Sequence, residues 1–460
     1  MSSPLVLVMA AGEGTRMRSS LPKMLHPVCG RPLIAWPILA AREAGAGRVA
    51  AIVSPGRDIS AGFPGEVETV VQPQPDGTGG AVRAALPLVE RAETVLVLSG
   101  DHPLISAEII RGFLDAHAAS DAAATMMTIE LDDPGTYGRV VRDPEGGVER
   151  VVEAKAGGDA SAEELAIREI NAGTYAFAAD PLATALRGLS NDNAQGEYYL
   201  TDVFAALREA GHAVAGHRAE DFAVTMGVNN RAELAAVEAE GRRRILERHM
   251  LAGVTVVDPD TTWIDAGVEI AADARIEPGT SLRGTSAIGA GSVVGPLSTL
   301  IDTRLGERVA VPHSYLVECE VADECNVGPF AYLRPDARLE RGAKAGSFVE
   351  VKNSTIGAGA KVPHLAYVGD ADVGAGSNLG AGTITANYDG FRKHRTTIGS
   401  GVRIGVDTML IAPVEVGDAA YTGAGAVIKK DVPEGALAVS ENDQRNIEGY
   451  SKRKAMEEEA

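Results

Sequence analysis

The sequence predicts an α/β domain with a doubly wound sheet, then a helical arm, then a parallel β-helix. Three features of the chain predict this order. Short apolar runs alternate with helix-like stretches in the first half, a helix-forming segment without proline follows, and an aliphatic residue then returns at every sixth position. A six-residue period fits neither an α-helix nor a simple amphipathic strand, and it is typical of short strands that stack into a solenoid.

The first domain is predicted to cover residues 1–228. Two stretches, 79–89 and 107–117, indicate helices. Four apolar runs indicate buried parallel strands, at residues 5–9, 49–53, 67–71 and 95–98. Such alternation predicts a doubly wound, Rossmann-like sheet, which binds ligands at the carboxyl ends of its strands.

Residues 229–252 are predicted to form a linker helix, because this part of the chain is rich in Ala, Glu, Arg and Leu and contains no proline. A docking site for another protein is the alternative interpretation. Residues 253–460 are predicted to form the solenoid and a polar C-terminal tail. The aliphatic layer of the solenoid begins at Ile264, Ile270, Ile276, Leu282, Ile288, Val294 and Leu300, and it resumes at Val321.

Composition argues against several classes of function. The chain has 460 residues and a formal net charge of −20, which disfavours general binding to nucleic acid or anionic membranes. No apolar run approaches the ~20 residues that span a bilayer, and the first residues do not form a signal peptide, so a cytoplasmic location is expected. Cys29, Cys319 and Cys325 lack metal-ligand spacing and are interpreted as incidental thiols in a reducing compartment.

A glycine-containing loop follows the first apolar run. Residues 7–17 read LVMAAGEGTRM, and Lys23 comes shortly after. Small residues let the backbone approach a nucleotide, N–H groups of a strand-to-helix turn can cradle phosphates, and Arg16 and Lys23 add positive charge. The loop matches neither the Walker A nor the dinucleotide-binding pattern. A purely structural turn is the alternative interpretation of its glycines.

Asp101 follows the predicted strand at 95–98. A carboxylate at the carboxyl end of a strand is well placed to hold Mg²⁺ against phosphate oxygens. A helix N-cap is the alternative role for this residue alone.

Two segments of the second domain, residues 361–370 and 378–395, are predicted to interrupt the aliphatic layer. The first contains His364, and the second is a basic loop. Loops on repeat proteins commonly form the binding face, and Arg334 and Lys352 supply cations for a sugar phosphate. Against this interpretation, a lone histidine is more often a satisfied surface or core group, and a loop can lack a function.

The segments of the first domain together resemble the sugar-1-phosphate nucleotidyltransferases. They are the loop at 7–17, LPK at 21–23, Gln72 with DGTGGA at 76–81, SGDHP at 99–103, YGR at 137–139, Glu153, EINAG at 169–173 and GVNN at 227–230. With the two solenoid segments, the chain from residue 5 to about residue 440 resembles the bifunctional enzymes that acetylate glucosamine 1-phosphate and uridylylate the product. The resemblance implies a left-handed β-helix and a homotrimer with acetyl sites between its chains.

The resemblance also implies roles for individual residues of the first domain. Asp101 and Asn229 would bind Mg²⁺, while Arg16 and Lys23 would neutralise charge during catalysis. UTP and the UDP-sugar would be bound by Met9, Ala10, Ala11, Gly12, Lys23, Gln72, Gly77, Thr78, Gly138, Glu153, Asn171 and Asn229.

In the second domain, the resemblance implies that His364 accepts the proton of the substrate amine. A backbone N–H near Asn387 or Tyr388 would stabilise the oxyanion. The amino-sugar phosphate would be bound by Arg334, Lys352, Tyr367 and Asn378. The co-substrate acetyl-CoA would be bound by Ala381, Asn387, Tyr388, Lys393 and Ala424.

Two departures from the family pattern concern the acetyl donor. Val406 stands where the family commonly has serine, and Glu441 stands where some members have arginine. We therefore expect an active acetyltransferase with weaker donor binding. The competing hypotheses are a monofunctional nucleotidyltransferase whose solenoid serves assembly or regulation, and a scaffold without activity. The polar segments of the solenoid argue against the first hypothesis, and the charged residues of the first domain argue against the second.

Overall fold

The structure is a computed structural model that describes residues 3–144, 146–152, 154, 160–192, 196–440, 444 and 446–458. Two of the residues singled out above, Glu153 and Glu441, lie outside the described residues. The chain divides into two compact units, Met1–Arg244 and Ile245–Ala460. None of the helices within the described ranges is both long enough and apolar enough to cross a bilayer.

The first unit contains eleven of the described strands. They are β1 (Leu5–Met9), β2 (Pro27–Val28), β3 (Arg31–Pro32), β4 (Arg48–Val53), β5 (Glu68–Val71), β6 (Thr94–Ser99), β7 (Ala124–Glu130), β8 (Arg139–Arg142), β9 (Val148–Val152), β10 (Glu169–Ala178) and β11 (Val214–Arg218). The described α-helices are α1 (Ala35–Glu43), α2 (Thr78–Ala84), α3 (Leu86–Val89), α4 (Ala107–Ala119), α5 (Ala162–Leu165), α6 (Ala179–Gly188), α7 (Asp202–Glu209) and α8 (Arg231–Leu251), the last of which extends into the second unit. Short 3₁₀ helices lie at Thr15–Met17, Lys23–Leu25, Ser60–Gly62 and Phe222–Thr225.

A mixed sheet forms the centre of the first unit, with strand order β11-β7-β10-β6-β1-β4-β5. The strand β1 pairs in parallel with both β4 and β6, whereas β10 runs antiparallel to both β6 and β7. Along β1, Leu5 and Leu7 enter one apolar core while Val6 and Val8 enter the other. Because both faces of the sheet are covered, the predicted doubly wound α/β fold is confirmed.

One strand assignment needs correction. The run at residues 67–71 is a strand but not a buried one, because β5 lies at the edge of the sheet and Val71 is 53% exposed. The strand β10 also runs antiparallel to its neighbours, whereas the sequence predicted only parallel strands. Apolar content alone does not report strand direction or position in the sheet, since tertiary pairing decides both.

The second unit is a three-sided stack of short parallel strands. Its first face contains Thr255–Val256, Arg275–Ile276, Val293–Val294, Ala310–Val311, Asn326–Val327, Lys344–Ser347, Lys361–His364, Asn378–Leu379, Arg403–Ile404, Tyr421–Thr422 and Leu437–Ala438. Its second face contains Trp263–Ile264, Ser281–Arg283, Thr299–Ile301, Tyr315–Val317, Tyr332–Leu333, Glu350–Lys352, Tyr367–Gly369, Ile384–Ala386, Met409–Ile411 and Val427–Ile428. Its third face contains Glu269–Ile270, Ala287–Ile288, Arg304–Leu305, Glu320–Val321, Arg338–Leu339, Thr355–Ile356, Ala371–Val373, Thr396–Ile398 and Val414–Val416. A final helix, Tyr450–Glu458, follows.

This architecture is the predicted left-handed parallel β-helix, and the six-residue period is its buried layer. Leu282 pairs with Leu300, which pairs with Leu316 in the next coil, and all three are fully buried. Leu305 and Val311 continue the layer. The apparent gap between Leu300 and Val321 is therefore not a break, because some sides of the coil contain five residues instead of six.

The two predicted interruptions have different outcomes. Residues 361–370 do not interrupt the stack, since Val362 pairs with Ala345 and Val368 pairs with Val351 in the preceding coil. The expectation of a break there is wrong. The second segment does contain a loop: the chain leaves the coil after the strand Ile384–Ala386 and returns at Thr396–Ile398.

Candidate functional site

The glycine-containing loop lies at the carboxyl ends of the central strands of the first unit. At the end of β1, Met9 O accepts a hydrogen bond from Gly100 N at 2.9 Å, and Ala10 N donates to Ile52 O at 2.8 Å. Gly14 has a φ of +64°, and a Cβ there would lie 2.6 Å from Lys23 Cβ. Glycine at position 14 thus allows the backbone to pack against the stem of Lys23.

Four polar side chains meet beside this loop, and we name them the nucleotide cluster: Arg16, Lys23, Asp101 and Asn229. The Lys23 Nζ lies 2.6 Å from Asp101 Oδ2 and donates to Asn229 Oδ1 at 3.1 Å. The Arg16 guanidinium donates to the same Asn229 oxygen at 2.9 Å. Arg16 and Asn229 therefore meet in this cluster although more than 200 positions separate them in the chain.

Local hydrogen bonds hold the backbone of Asp101 and Asn229, the two members of the cluster whose side chains carry oxygen. Asp101 follows β6, and its carbonyl accepts from Val228 N at 3.0 Å. Asn229 precedes α8, and its backbone N–H donates to Glu233 Oε2 at 2.7 Å. Glu233 was not predicted as a functional residue. The signal that could have found it is the Asn-x-x-Glu pattern at residues 230–233, which is typical of a helix N-terminus.

The charges in the nucleotide cluster keep Asp101 ionised. Burial raises the pKa of its carboxyl, but the neighbouring His102 and Lys23 lower the pKa by more, so the net shift is downward. Lys23 is itself buried, with 9% of its surface exposed. Lys23 and Asp101 therefore form a partly buried ion pair, with the Asp101 carboxylate at the carboxyl end of β6.

The residues of this cluster fit a divalent cation. The carboxylate of Asp101 and the amide oxygen of Asn229 already converge on one cation, the ammonium of Lys23. Within the described parts of the chain, no group of three or more His, Cys, Asp or Glu side chains could hold a metal alone. Two protein oxygens, completed by phosphate oxygens and water, match the way Mg²⁺ is held in nucleotide-binding sites.

The residues expected to read uracil also come together. The buried Gln72 donates through Nε2 to Asp76 Oδ1 at 2.8 Å and to Gly77 O at 3.0 Å. Gly77 has a φ of +97°, and a Cβ there would lie 2.5 Å from Tyr198 O. Thr78 Oγ1 accepts from Leu200 N at 3.1 Å. Asp76 is a further member of this group; it begins the DGTGGA motif but was not among the predicted binding residues.

The residues expected to read the sugar form a second small group. Asn171 N donates to Gly138 O at 3.0 Å, and its side-chain oxygen accepts from Gly173 N at 2.9 Å. The carbonyl of Gly173 lies 3.4 Å from Ser99 Oγ, at the end of β6. This turn is thus joined to the strand that precedes Asp101.

In the second unit, a group of charged and amide side chains lies on the second face of the β-helix. We name Arg334, Glu350, Lys352, Asp370 and Asn387 the solenoid cluster. Arg334 pairs with Glu350 at 2.8 Å, and Lys352 pairs with Asp370 at 3.1 Å. Asn387 donates to Asp370, and its Nδ2 lies 3.5 Å from the hydroxyl of Tyr367. Asp370 and Glu350 were not among the predicted site residues.

His364 stands at a corner of the same unit. It ends the strand Lys361–His364 on the first face, it is exposed, and Tyr367 begins the next strand on the second face. The corner is repeated in the following coils, because Gly382 N donates to Leu365 O, Asp407 N to Ala381 O and Gly425 N to Val406 O. His364 is therefore followed along one edge by Ala381, Val406 and Ala424.

Asn378 lies on the first face, where it pairs with Lys361 and Arg403. Asn378 therefore lies on a first-face strand and not at the corner, and the hydrogen bonds described for the solenoid cluster do not include it. Val406 is 49% exposed on the corner itself.

The loop after the strand Ile384–Ala386 is held in a fixed shape. Asp389 accepts from Phe391 N at 2.7 Å, from Arg392 N at 2.6 Å and from His394 Nε2 at 2.7 Å. These hydrogen bonds lower the pKa of Asp389 to about 2. The adjacent Lys352 lowers the pKa of Lys393, whose ammonium therefore lies beside the solenoid cluster.

The cysteines do not contribute to either site. All three are buried. Burial raises the pKa of Cys319 to about 12 and that of Cys325 to about 11, so both thiols stay protonated at neutral pH.

The fold and the first site define a class of protein, a nucleotidyltransferase joined to a parallel β-helix. Comparison with known proteins agrees with this class. Residues 6–253 match the MobA-like NTP transferase domain family. The chain is 49% identical over 456 residues to the bifunctional protein GlmU of Streptomyces avermitilis, covering 98% of this chain and 94% of that protein. It is 47% identical over 462 residues to the GlmU protein of Corynebacterium efficiens, covering 98% and 94%.

A third relative, the bifunctional protein GlmU of Mycobacterium bovis, is 48% identical over 459 residues, covering 98% of this chain and 92% of that protein. The chain belongs to the GlmU family, and it is an enzyme of the nucleotidyltransferase class. The family predicted from the sequence motifs is thereby confirmed.

Proposed function

We propose that this enzyme makes UDP-N-acetylglucosamine in two reactions. The second unit transfers an acetyl group from acetyl-CoA to glucosamine 1-phosphate. The first unit then transfers a uridylyl group from UTP to N-acetylglucosamine 1-phosphate and releases pyrophosphate. The observation that carries the proposal is that each unit has its own polar cluster beside residues that its reaction requires, the nucleotide cluster in the first unit and the solenoid cluster in the second.

Uridylyl transfer needs positioning and charge neutralisation. A phosphate oxygen of N-acetylglucosamine 1-phosphate attacks the α-phosphorus of UTP, and the bond to pyrophosphate breaks. Arg16 and Lys23 stabilise the negative charge that accumulates on the phosphoryl oxygens. Mg²⁺, held by Asp101 and Asn229, supplies further neutralisation when bound. Gln72, Gly77 and Thr78 orient the base, and Gly138 and Asn171 orient the sugar.

Acetyl transfer needs a base and an anchored substrate. A neutral His364 accepts a proton as the amine nitrogen attacks the thioester carbonyl, the C–S bond breaks, and CoA leaves as a thiol after protonation. The exposed corner that continues through Ala381, Val406 and Ala424 gives the acetyl donor a path beside this base. Lys393 lies near Lys352 and supplies charge for the donor phosphates.

The charge balance of the solenoid cluster suits a phosphate monoester. Within the cluster, the charges of Arg334 and Lys352 are matched by those of Glu350 and Asp370, and the adjacent Lys393 adds one further positive charge. Burial lowers the pKa of Lys352, but its hydrogen bonds and ion pair with Asp370 favour the charged form, and the net shift is upward, so Lys352 remains charged. The surplus positive charge would be matched by the phosphate of the amino sugar.

We further propose that the enzyme is a homotrimer. A column of Leu297, His313, Phe330, Phe348 and Leu365 follows one corner of the β-helix, and its apolar members Leu297, Phe330, Phe348 and Leu365 are 67, 55, 60 and 62% exposed. The rings of Phe330 and Phe348 stack with centroids 5.2 Å apart. Contiguous exposed apolar surface is typical of protein interfaces. Leu365 directly follows His364, so a chain covering the column would also adjoin the acetyl site.

Phe348→Asp tests this assembly. The backbone at Phe348 has a φ of +58°, which aspartate tolerates well, so the monomer should fold. Light scattering after gel filtration should give a trimer for wild type and smaller species for the variant, with CoA release reduced and pyrophosphate release retained. Leu165→Asp, at an exposed position of the first unit, is the matched control and should remain trimeric. A monomeric wild-type enzyme would contradict the proposal.

The alternative is a monofunctional nucleotidyltransferase with a structural or regulatory β-helix. Two separate assays on the full chain discriminate between the hypotheses. One measures CoA release from acetyl-CoA with glucosamine 1-phosphate, and the other measures pyrophosphate release from UTP with N-acetylglucosamine 1-phosphate. We expect both products, with a high KM for acetyl-CoA because of Val406. Pyrophosphate release alone would support the alternative, and neither product would support a scaffold.

A further inference from the structure

Asp370 is the most connected member of the solenoid cluster. It is 6% exposed, and its carboxylate accepts from Lys352 Nζ at 3.1 and 3.2 Å, from Asn353 Nδ2 at 2.6 Å, and from Asn387 Nδ2. Burial raises the pKa of this carboxyl, but the hydrogen bonds from Asn353, Lys352 and Asn387 lower it by more. Asp370 is therefore a buried carboxylate whose charge is held by three donor side chains.

The carboxylate fixes the orientation of the Asn387 amide. An ionised carboxylate can only accept hydrogen bonds, so the NH₂ group of Asn387 must face Asp370. The amide oxygen of Asn387 then points away from Asp370. Without the carboxylate, either orientation of the amide would be available.

Asp370 also joins both ends of the loop at residues 387–395. Its side chain holds Asn387 at the start of the loop, and its backbone carbonyl accepts from Thr396 N, immediately after the loop, at 3.1 Å. The backbone N–H of Asp370 donates to Lys352 O at 3.0 Å. One residue thus connects the proposed phosphate anchor Lys352 to the loop that carries Tyr388 and Lys393.

We propose that Asp370 is a positioning residue for acetyl transfer, which sets Lys352 for the sugar phosphate and sets the Asn387 loop for the acetyl donor. This inference rests on the proposed acetyltransferase function of the second unit. Asp370 does not act on the reacting atoms. It determines where two groups that touch the substrates are held, and its removal should raise KM more than it lowers kcat.

Asp370→Asn is the main test, with CoA release as the assay. Asparagine suits the φ of +50° at this position and keeps the size of the side chain, but it replaces one acceptor oxygen with a donor and removes the charge. A buried hydrogen bond to a charged group typically changes an equilibrium by about 10- to 100-fold. We expect kcat/KM for glucosamine 1-phosphate to fall by about that factor, mainly through KM.

Two further variants separate positioning from general stability. Asp370→Glu retains the charge and should recover part of the lost kcat/KM. Asn353→Gly removes one hydrogen bond to Asp370 but spares Lys352 and Asn387, and glycine accepts the φ of +45° there, so its kinetics should stay within about twofold of wild type. The melting temperatures of all three variants should be measured alongside their kinetics.

The outcomes are distinct. If Asp370→Asn leaves the KM for glucosamine 1-phosphate within twofold of wild type, the positioning role is wrong. It is also wrong if Asn353→Gly loses as much kcat/KM as Asp370→Asn. If Asp370→Asn fails to fold, Asp370→Glu decides: unchanged KM values for both substrates would refute the role, and a raised KM would support it. Absence of CoA release in the wild-type enzyme would instead refute the proposed function.

Discussion

Asp101→Ala is expected to reduce pyrophosphate release by about 10³-fold or more, because the variant loses the proposed metal ligand and the negative charge that fixes Lys23. The ion pair between Lys23 and Asp101 is 2.6 Å long and largely buried. Without the carboxylate, Lys23 would lose its charged partner and retain its hydrogen bond to the Asn229 oxygen, so both the cation and the ammonium would be misplaced. Steady-state pyrophosphate release at saturating UTP and Mg²⁺ measures the effect.

Asp101→Asn is the matched control for folding. It retains an oxygen for Lys23 and the shape of the side chain, so its melting temperature should stay near that of wild type while its activity remains low. CoA release should be within twofold of wild type in both variants, because the two clusters belong to different units. Loss of CoA release in a folded Asp101 variant would contradict independent sites. Full pyrophosphate release by Asp101→Ala would refute the metal-site assignment.

The parts of the fold that follow from a local pattern could be predicted. The strand β1 has the predicted limits, 5–9, and the helix α8 (Arg231–Leu251) lies within the predicted linker helix at 229–252. The position of β5 at the sheet edge and the antiparallel direction of β10 could not be predicted, because neither changes the local apolar pattern. In the β-helix, a strict six-residue period does not predict Leu305 as a buried position. One side of the coil there has five residues, and the buried layer remains continuous.

The candidate sites also contain residues that local motifs predict and residues that they do not. Arg16, Lys23, Asp101 and Asn229 were found through motifs, and the structure brings them within hydrogen-bonding distance of one another. Asp370 was missed, although it follows Tyr367 by only three positions. Its proposed role depends on contacts with Lys352 and Asn387, which lie in different coils. A carboxylate that acts through neighbours from other coils has no local sequence signature.

His364→Ala is expected to reduce CoA release by about 10²- to 10⁴-fold, the range for loss of a general base. His364 is exposed at the end of its strand, so its removal should change the free energy of unfolding by no more than about 0.5 kcal/mol. The substrate anchors in the solenoid cluster remain, because Arg334 and Lys352 bond to acidic groups and not to His364. The loss should therefore be in kcat, with little change in KM for glucosamine 1-phosphate.

Lys361→Ala provides the matched control, since Lys361 is exposed on the same strand as His364. Its CoA release should remain close to wild type, and pyrophosphate release should be unaffected in both variants. If His364→Ala retains CoA release within twofold of wild type, the base must be another group. If the variant instead raises KM with unchanged kcat, His364 binds the amino sugar without taking its proton, because loss of a base acts on the transition state and not on the ground state.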